Sequence, residues 1–302
     1  MNDSSDIKRI AFASDTQAPM LVETLLLRSH KNKLATQLLF ENVWQQHPHT
    51  LFLLGDVVNL GYSNRQWKPI DKYLEALRNK QINIHAILGN HEVMGRAVLG
   101  QQKFQNRFPD HVRTGYLKVV DGIAILMLNS NFGTLSKKED ITQVQWYQNA
   151  LQQLDDDPCI EFVITCCHHS PFTNSRIVSP SIAVQQKFVP HFLHAKKSQL
   201  FLSGHCHAFE HYKVSGKDFM VIGGGGGLRQ PLRQGIGTLY DLASKYKPMF
   251  HYLMAERSAE HLHLFSYHLK KDFSGFEEGW KIEIKKYAET AIAEGHIINS
   301  AR

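Results

Sequence analysis

Residues 84–92, Ile-His-Ala-Ile-Leu-Gly-Asn-His-Glu, join an apolar run of strand length to a glycine and then to three side chains that can bind metal or move protons. The arrangement occurs four more times. Ile10 to Ser14 stops at Asp15-Thr-Gln17, Leu51 to Leu54 at Gly55-Asp56, Phe162 to Cys167 at His168-His169-Ser-Pro171, and Leu200 to Ser203 at Gly204-His205-Cys-His207. Each run is short and apolar enough for a buried strand. In open α/β sheets ligands bind at the carboxyl ends of the strands. Five segments far apart in sequence can therefore converge on one crevice, and their residue types describe a two-metal hydrolytic site.

The rest of the chain supports such a scaffold. From Ile10 to about Asn131 strand runs alternate with helix-like segments, the pattern of βαβ units and a largely parallel sheet. Leu34 to Trp44 carries Leu34, Leu38, Leu39, Val43 and Trp44 near helical spacing, and Ile70, Tyr73, Leu74 and Leu77 share a face. A third helix is expected over Thr142 to Leu154, stopped by Asp155-Asp-Asp-Pro158. After His207 strands dominate: Phe219 to Ile222, Phe250 to Ala255, the alternating His261 to Leu269, and Trp280 to Ile284. These suggest a second sheet that follows the first half. Gly223 to Gly227 fits either a flexible turn or a place where backbone approaches a ligand or another strand closely.

Composition narrows the function. The 302 residues, 43% apolar and 21% charged, describe an ordinary globular protein. They are expected to form one domain with a core over about 8–268 and a C-terminal strand and helix extension over 269–302. No apolar stretch approaches a membrane span, and the polar start MNDSSDIKRIAFASD leaves no room for a secretory signal. A cytoplasmic protein is expected. The net charge of +6 favours anionic partners in a general way, but the Lys and Arg residues lack the clustered stripe of a nucleic-acid surface. Cys159, Cys166, Cys167 and Cys206 lack the spacing of a zinc ribbon or disulfide framework. They read as small core residues, Cys206 pointing away from its flanking histidines.

Asp15 and Gln17, two apart on an extended strand end, point the same way, as two ligands of one ion require. Asp56, released by Gly55, offers a carboxylate able to bridge two cations, and Asn90 offers a neutral carbonyl oxygen. His169, His205 and His207 offer imidazole nitrogens. Any one of these has a bland reading: Asp56 could cap a turn, Asn90 could occupy one, and a lone His is usually structural. Their joint order at five strand ends favours the metal site.

These residues resemble the signature of the calcineurin-like metallophosphoesterases: Asp-x-His, Gly-Asp, Gly-Asn-His-Asp/Glu, a His before a Pro, and Gly-His-x-His. The resemblance spans residues 8 to about 268, including the helix before the fourth motif and the glycine run after the fifth. It implies an α/β fold, a four-layer α/β/β/α sandwich of two mixed sheets flanked by helices, with a dinuclear centre at the strand ends. It implies that Asp15, Gln17, Asp56 and His207 hold one ion and that Asp56, Asn90, His169 and His205 hold the other. His169 stands two before Pro171, where the family's ligand usually stands; His168 is the alternative. His91 would protonate the leaving oxygen or stabilise charge, with Glu92 orienting it. A small phosphorylated substrate, whether monoester, diester or nucleotide pyrophosphate, would be cleaved by in-line attack of a metal-bridging hydroxide.

Two positions depart from the pattern. Gln17 replaces the usual His, which should weaken that ion site and shift it toward harder ions, Mn²⁺ first, with Fe, Zn, Ni or Mg also compatible. This resembles a branch that includes ADP-ribose and CDP-alcohol pyrophosphatases. Asn59 stands where purple acid phosphatases place a Tyr ligand, so a coloured Fe(III) centre is not expected. Arg96, Arg229 and Arg233 could reach a phosphate, and Asn129 and Asn131 could border the crevice. His47, His49, His191 and His194 read as surface or core residues. A phosphoprotein phosphatase, or a non-catalytic scaffold on the same fold, are the competing readings.

Overall fold

The computed structural model describes residues 8–19 and 31–287. β1 (Ile10–Ala13), β2 (Thr50–Leu53) and β3 (Asn83–Ala86) are parallel neighbours, with Ile10 opposite Thr50 and Thr50 opposite Asn83. Their carboxyl ends lie side by side, which brings Asp15, Asp56 and Asn90 to one edge. The helices between them are α1 (Asn32–Gln46) and α2 (Asn64–Asn79), both longer than the periodicity alone indicates. They cover the outer face of the sheet. Leu39, Phe40, Val43, Trp67, Leu74 and Leu77 bury against Ala11, Leu51 and Leu53.

Two short helices follow β3, α3 (Asn90–Val93) and α4 (Ala97–Arg107). The second sheet then starts with the hairpin β4 (Tyr116–Val120) and β5 (Ile123–Leu128). From β5 it runs parallel through β6 (Phe162–Cys167), β7 (Ser198–Ser203) and β9 (Lys217–Ile222), with β8 (Phe209–Val214) antiparallel at the edge. Leu128 pairs with Cys167, Cys167 with Ser203 and Ser203 with Val221. Residues 129–131, 168–171, 204–207 and the glycine run thus leave the second sheet in one line. On its outer face lie α5 (Lys137–Asp156), α6 (Ile182–Lys187) and α7 (Val189–His194). α5 begins five residues before the expected Thr142, because Ser136 and Glu139 form a reciprocal cap (Glu139 N to Ser136 Oγ 3.2 Å, Ser136 N to Glu139 Oε2 2.8 Å).

The expectation that the later strands build the second sheet holds for Phe219 to Ile222, which lies in β9, and is corrected by the pairing for the three that follow. β10 (His251–Arg257) joins β1 antiparallel, and β11 (His261–Leu269) and β12 (Phe276–Lys285) continue outward, so the first sheet runs β12-β11-β10-β1-β2-β3. Hydrophobic alternation fixes which face a strand buries but not which strand it pairs with. The helical part expected within 269–302 lies outside the described residues, since 269–287 carry β12 and its flanks.

The two sheets face each other across one apolar layer in which Phe12, Phe52 and Leu54 of the first meet Ile125, Met127, Ile164 and Leu202 of the second. Phe12 and Phe52 stack at 5.4 Å. Burying such side chains contributes about 1.5–3 kcal/mol each. The architecture is the expected α/β/β/α sandwich, and its rigid middle holds two rows of strand ends in register at one edge. Among the described residues no helix is long and apolar enough to cross a membrane.

Candidate metal centre

The motif loops are stitched to one another before any side chain is considered. Asp15 N donates to Gly55 O (3.0 Å), Gln17 N to Asp56 O (3.1 Å), Gly204 N to His168 O (2.9 Å) and Gly227 N to Asp15 O (3.0 Å). A Cβ on Gly89 would stand 2.1 Å from Asp56 Oδ1, and one on Gly227 would stand 2.3 Å from the His207 ring. The glycine run is therefore a close-approach device, pressed against the first and fifth motifs. Asp15, Asp56 and His205 all adopt left-handed backbone (φ 58, 50 and 66°). Such conformations are costly for residues with a Cβ and concentrate at functional sites.

The strand ends deliver two clusters of lone pairs. In the first, His207 Nδ1 lies 2.8 Å from the Leu228 carbonyl. A carbonyl only accepts, so Nδ1 carries the proton and a neutral ring turns its Nε2 lone pair outward. That atom faces Asp15 Oδ1 at 3.3 Å. The Gln17 side-chain amide approaches the same atom at 3.3 Å, and the orientation that satisfies both of its ends turns the amide nitrogen to the carbonyls of Asp15 (3.2 Å) and Asp56 (2.6 Å) and Oε1 to His207 Nε2. Asp15 is fully buried and also accepts from Ser14 Oγ (2.6 Å) and His205 N (2.9 Å to Oδ2).

The second cluster repeats this design. His168 Nδ1 lies 2.9 Å from the Leu54 carbonyl, and its Nε2 faces Asp56 Oδ2 at 3.2 Å and Asn90 Oδ1 at 3.1 Å. Asp56, His168 and His205 each place a ligand atom within 4.8 Å of the others. Of the two adjacent histidines, the one aimed at Asp56 and Asn90 is His168. His169, favoured by its distance from Pro171, instead meets the Ser130 hydroxyl with both Nδ1 (2.8 Å) and its amide (2.9 Å). It lines a neighbouring cavity with Ser130, Asn131, Phe132 and Ser181. Its ring still touches that of His205 (centroids 4.5 Å).

Acceptors facing lone pairs at these distances need a proton or a metal cation between them, and leaving buried polar groups unmatched costs about 1–3 kcal/mol each. The protein alone answers with protons. Burial pushes the His168 imidazole down, but Asp56 outweighs it and raises the group to about 9. Burial pushes His207 down as well, but Asp15 outweighs it and raises the group. The Asp56 carboxyl, which burial alone would raise, is held well below the usual carboxylate range chiefly by His168. Burial and the neighbouring His168 push His205 down to about 3, leaving it neutral. Mixed imidazole, carboxylate and amide oxygen donors of this kind suit divalent cations, so the residues present fit such ions in both clusters. Asn59 Oδ1 is an additional buried oxygen with no partner among the described residues.

His91 stands over the second cluster. Its amide donates to Asp56 Oδ1 (2.8 Å), Nδ1 meets the Asn59 carbonyl (2.9 Å), and Nε2 points toward Asp56 Oδ2 at 3.8 Å. Orientation of His91 therefore comes from a backbone carbonyl, not from Glu92 as the sequence suggests. The buried Glu92 carboxyl accepts from Gly89 N (2.7 Å), Asp56 N (2.9 Å) and Val58 N (3.0 Å) and so ties the second motif to the third. Burial, then the nearby Asp56, raises it to about 7.

The expected substrate groups separate. Asn129 is buried and accepts from Asn131 N (2.9 Å) while donating to Arg113 O (3.1 Å), and Asn131 donates to Leu88 O (2.9 Å). Both serve as internal struts. Arg96 is exposed, with its guanidinium over the Tyr62 ring. Arg229 follows directly on Leu228, whose carbonyl holds His207. Cys166, Cys167 and Cys206 are buried and only Cys159 of the four is exposed; Cys206 Sγ is directed to Glu210 rather than to the clusters. The residues that sequence reading could not find are those acting through backbone oxygens, Leu54, Asn59 and Leu228, since a carbonyl carries no residue signature.

The family model for calcineurin-like phosphoesterases matches residues 8–209. The chain belongs to that family. The family is one of metal-dependent phosphoester hydrolases that typically hold a dinuclear metal centre, and some of its relatives are non-catalytic. Similar solved structures include the purple acid phosphatase from yellow lupin (Lupinus luteus) seeds, with a TM-score of 0.67 and 14% identity over 93% of this chain and 54% of the lupin chain. The present chain thus spans about half the lupin enzyme. The GAP50 anchor of the Plasmodium inner membrane complex has a TM-score of 0.70 and 13% identity, covering 93% of this chain and 89% of that one. A dimetal phosphatase from Danio rerio has a TM-score of 0.56 and 13% identity, covering 93% and 99%. At these identities the likeness is one of fold. No curated protein matches the chain by sequence.

Proposed function

We propose that this protein is a dinuclear metal-dependent hydrolase of phosphoric esters acting on a small organic phosphate. The observation that carries the reading is the pair of oriented imidazoles, His207 and His168, each pinned by a backbone carbonyl and each facing a buried carboxylate and an amide oxygen. Asp15, Gln17 and His207 would hold one ion, and Asn90, His168 and His205 the other, with Asp56 between them. When bound, such ions activate water and clamp phosphoryl oxygens for in-line displacement. Manganese is the metal we favour, because the amide oxygen of Gln17 replaces a softer imidazole.

The chain's own groups supply the rest. His91, fixed through Nδ1 by Asn59 O, presents Nε2 toward Asp56 as the group that delivers a proton to the leaving oxygen. Glu92 holds three backbone amides still, which keeps Asp56 and Asn90 in place without further reorganisation. A scaffold role is disfavoured by the intact donor set. The test is hydrolysis of p-nitrophenyl phosphate and bis(p-nitrophenyl) phosphate by the metal-loaded chain, alongside His91→Ala. We expect His91→Ala to keep its metal and lose turnover. Near-normal kcat in that variant would remove His91 from the reaction, and no hydrolysis of either ester with Mn²⁺, Ni²⁺ or Zn²⁺ would remove the enzymatic reading.

A further inference from the structure

The segment after the glycine run leads away from the metal clusters into a second cavity of about 490 Å³, whose lining includes Asn174, Arg229, Arg233, Tyr240, Asp241 and Lys247. Its wall is hydrogen-bonded to the fifth motif on both sides of His207: Leu228 O meets His207 Nδ1 (2.8 Å), and Gln230 N donates to His207 O (3.0 Å). The opposite side is equally fixed. Arg233 N donates to Asn174 O (2.7 Å), Arg176 N to Pro231 O (2.9 Å), and Ser175 Oγ to Gln230 Oε1 (2.8 Å). Asn174 is itself held by the buried Glu210 carboxylate (2.8 Å).

The charge of the cavity is unbalanced. Its one acid, Asp241, is spent inward, paired with Lys247 and accepting from His211 N (3.1 Å) and Ala243 N (2.9 Å). Arg229 is exposed and has no side-chain partner among the described residues, and Arg233 uses only Nε, toward Ser175 O at 3.1 Å. Two guanidinium edges are therefore open. Beside them Tyr240 is 83% exposed, and Ile236 and Leu239 are exposed as well, so the rim offers apolar surface next to positive charge. A bare phosphate ester held at the metals would use none of this.

We propose that this cavity is a subsite for a second anionic group, phosphate or carboxylate, carried on the organic part of the substrate, with Arg229 and Arg233 as its recognising residues. The proposal rests on the phosphoesterase reading for what occupies the metals, and it sharpens the substrate class to organic phosphates bearing another anion some distance from the reacting one. Arginine suits this role because its planar fork pairs with both oxygens of such a group.

The test separates binding from turnover. Calorimetry on the metal-loaded full chain would compare alkane monophosphonates with α,ω-alkane bisphosphonates, from propane to octane; these do not hydrolyse. At one or more chain lengths the bisphosphonate should bind about tenfold more tightly, well beyond the twofold that two equivalent ends provide, as expected for one charge-assisted contact. Arg229→Glu should abolish that preference, and Arg229→Ala/Arg233→Ala should do the same through loss rather than reversal of charge. A wild-type protein with no preference at any length, no phosphonate binding, or a preference that survives both variants would overturn the subsite. The corresponding alkanediol phosphates then test the link to reaction by the ratio of kcat/KM for bisphosphate over monophosphate. A binding preference with no ester hydrolysed would sink the enzymatic reading while leaving the anion site standing.

Discussion

In one half of the candidate metal centre a single imidazole, His207, faces Asp15 and Gln17; in the other, His168 faces Asp56 and Asn90 with His205 alongside. Both halves pin the imidazole through a backbone carbonyl, so the difference lies in the donors rather than in the scaffold. The first sheet and the fifth motif supply the poorer set, with an amide where a second imidazole would otherwise stand. The second half has two imidazoles and the more crowded shell. Under the proposed two-ion reading, unequal affinity for the two ions follows from that inequality, and Asp56, placed between them, would couple the halves.

The largest break in this comparison should come from Asp56→Asn. It removes the carboxylate that faces His168 and that the proposed function places between the two ions, and should lower metal affinity and kcat together by more than the ~100-fold typical of outer-shell changes, as read by elemental analysis and initial rates. Glu92→Gln acts one layer further out. An amide cannot accept from all three backbone N–H groups without turning a donor toward one of them, so a loss of about 1–3 kcal/mol is expected in urea unfolding. Gln17→His should narrow the inequality from the other direction, tightening the weaker ion by on the order of tenfold, or ~1.4 kcal/mol, in a competition titration with a chelating dye.

A last effect is read in stability alone, at the histidine behind the glycine run. His251 is fully buried, and neither ring nitrogen has a partner among the described residues. Burial, with His268 and Lys247 nearby, pushes it from 6.5 down to about 3. The unfolded chain takes up a proton below pH 6.5 that the folded chain refuses until about pH 3, so stability should fall as pH drops through that window. The slope should be up to ~1.4 kcal/mol per pH unit, and His251→Leu should flatten it in urea titrations at pH 7.5 and 5.

Much of this edge was legible in the sequence because metal chemistry constrains side chains: Asp15, Gln17, Asp56, Asn90, His205 and His207 all come to the two clusters. The choice between His168 and His169 was not, because it depends on which residue leaves β6 with its ring turned inward, and a strand end of two histidines carries no pattern to decide it. The role of Glu92 was hidden for a related reason, since its partners are backbone amides. At the level of the fold, short apolar runs located β10 and the second half of β12 and alternation located β11, but the pairing of β10 with β1 is a long-range choice that local periodicity does not encode.

The most direct test is the metal content of the purified chain and of three variants, measured by elemental analysis after saturation with Mn²⁺ and removal of free ions. Two ions per chain in the wild type, one in His207→Ala, one in His168→Ala and two in His169→Ala would bear out the two-cluster account. A wild-type chain that retains no more than one ion, or a His168→Ala variant that keeps both while His169→Ala loses one, would contradict it.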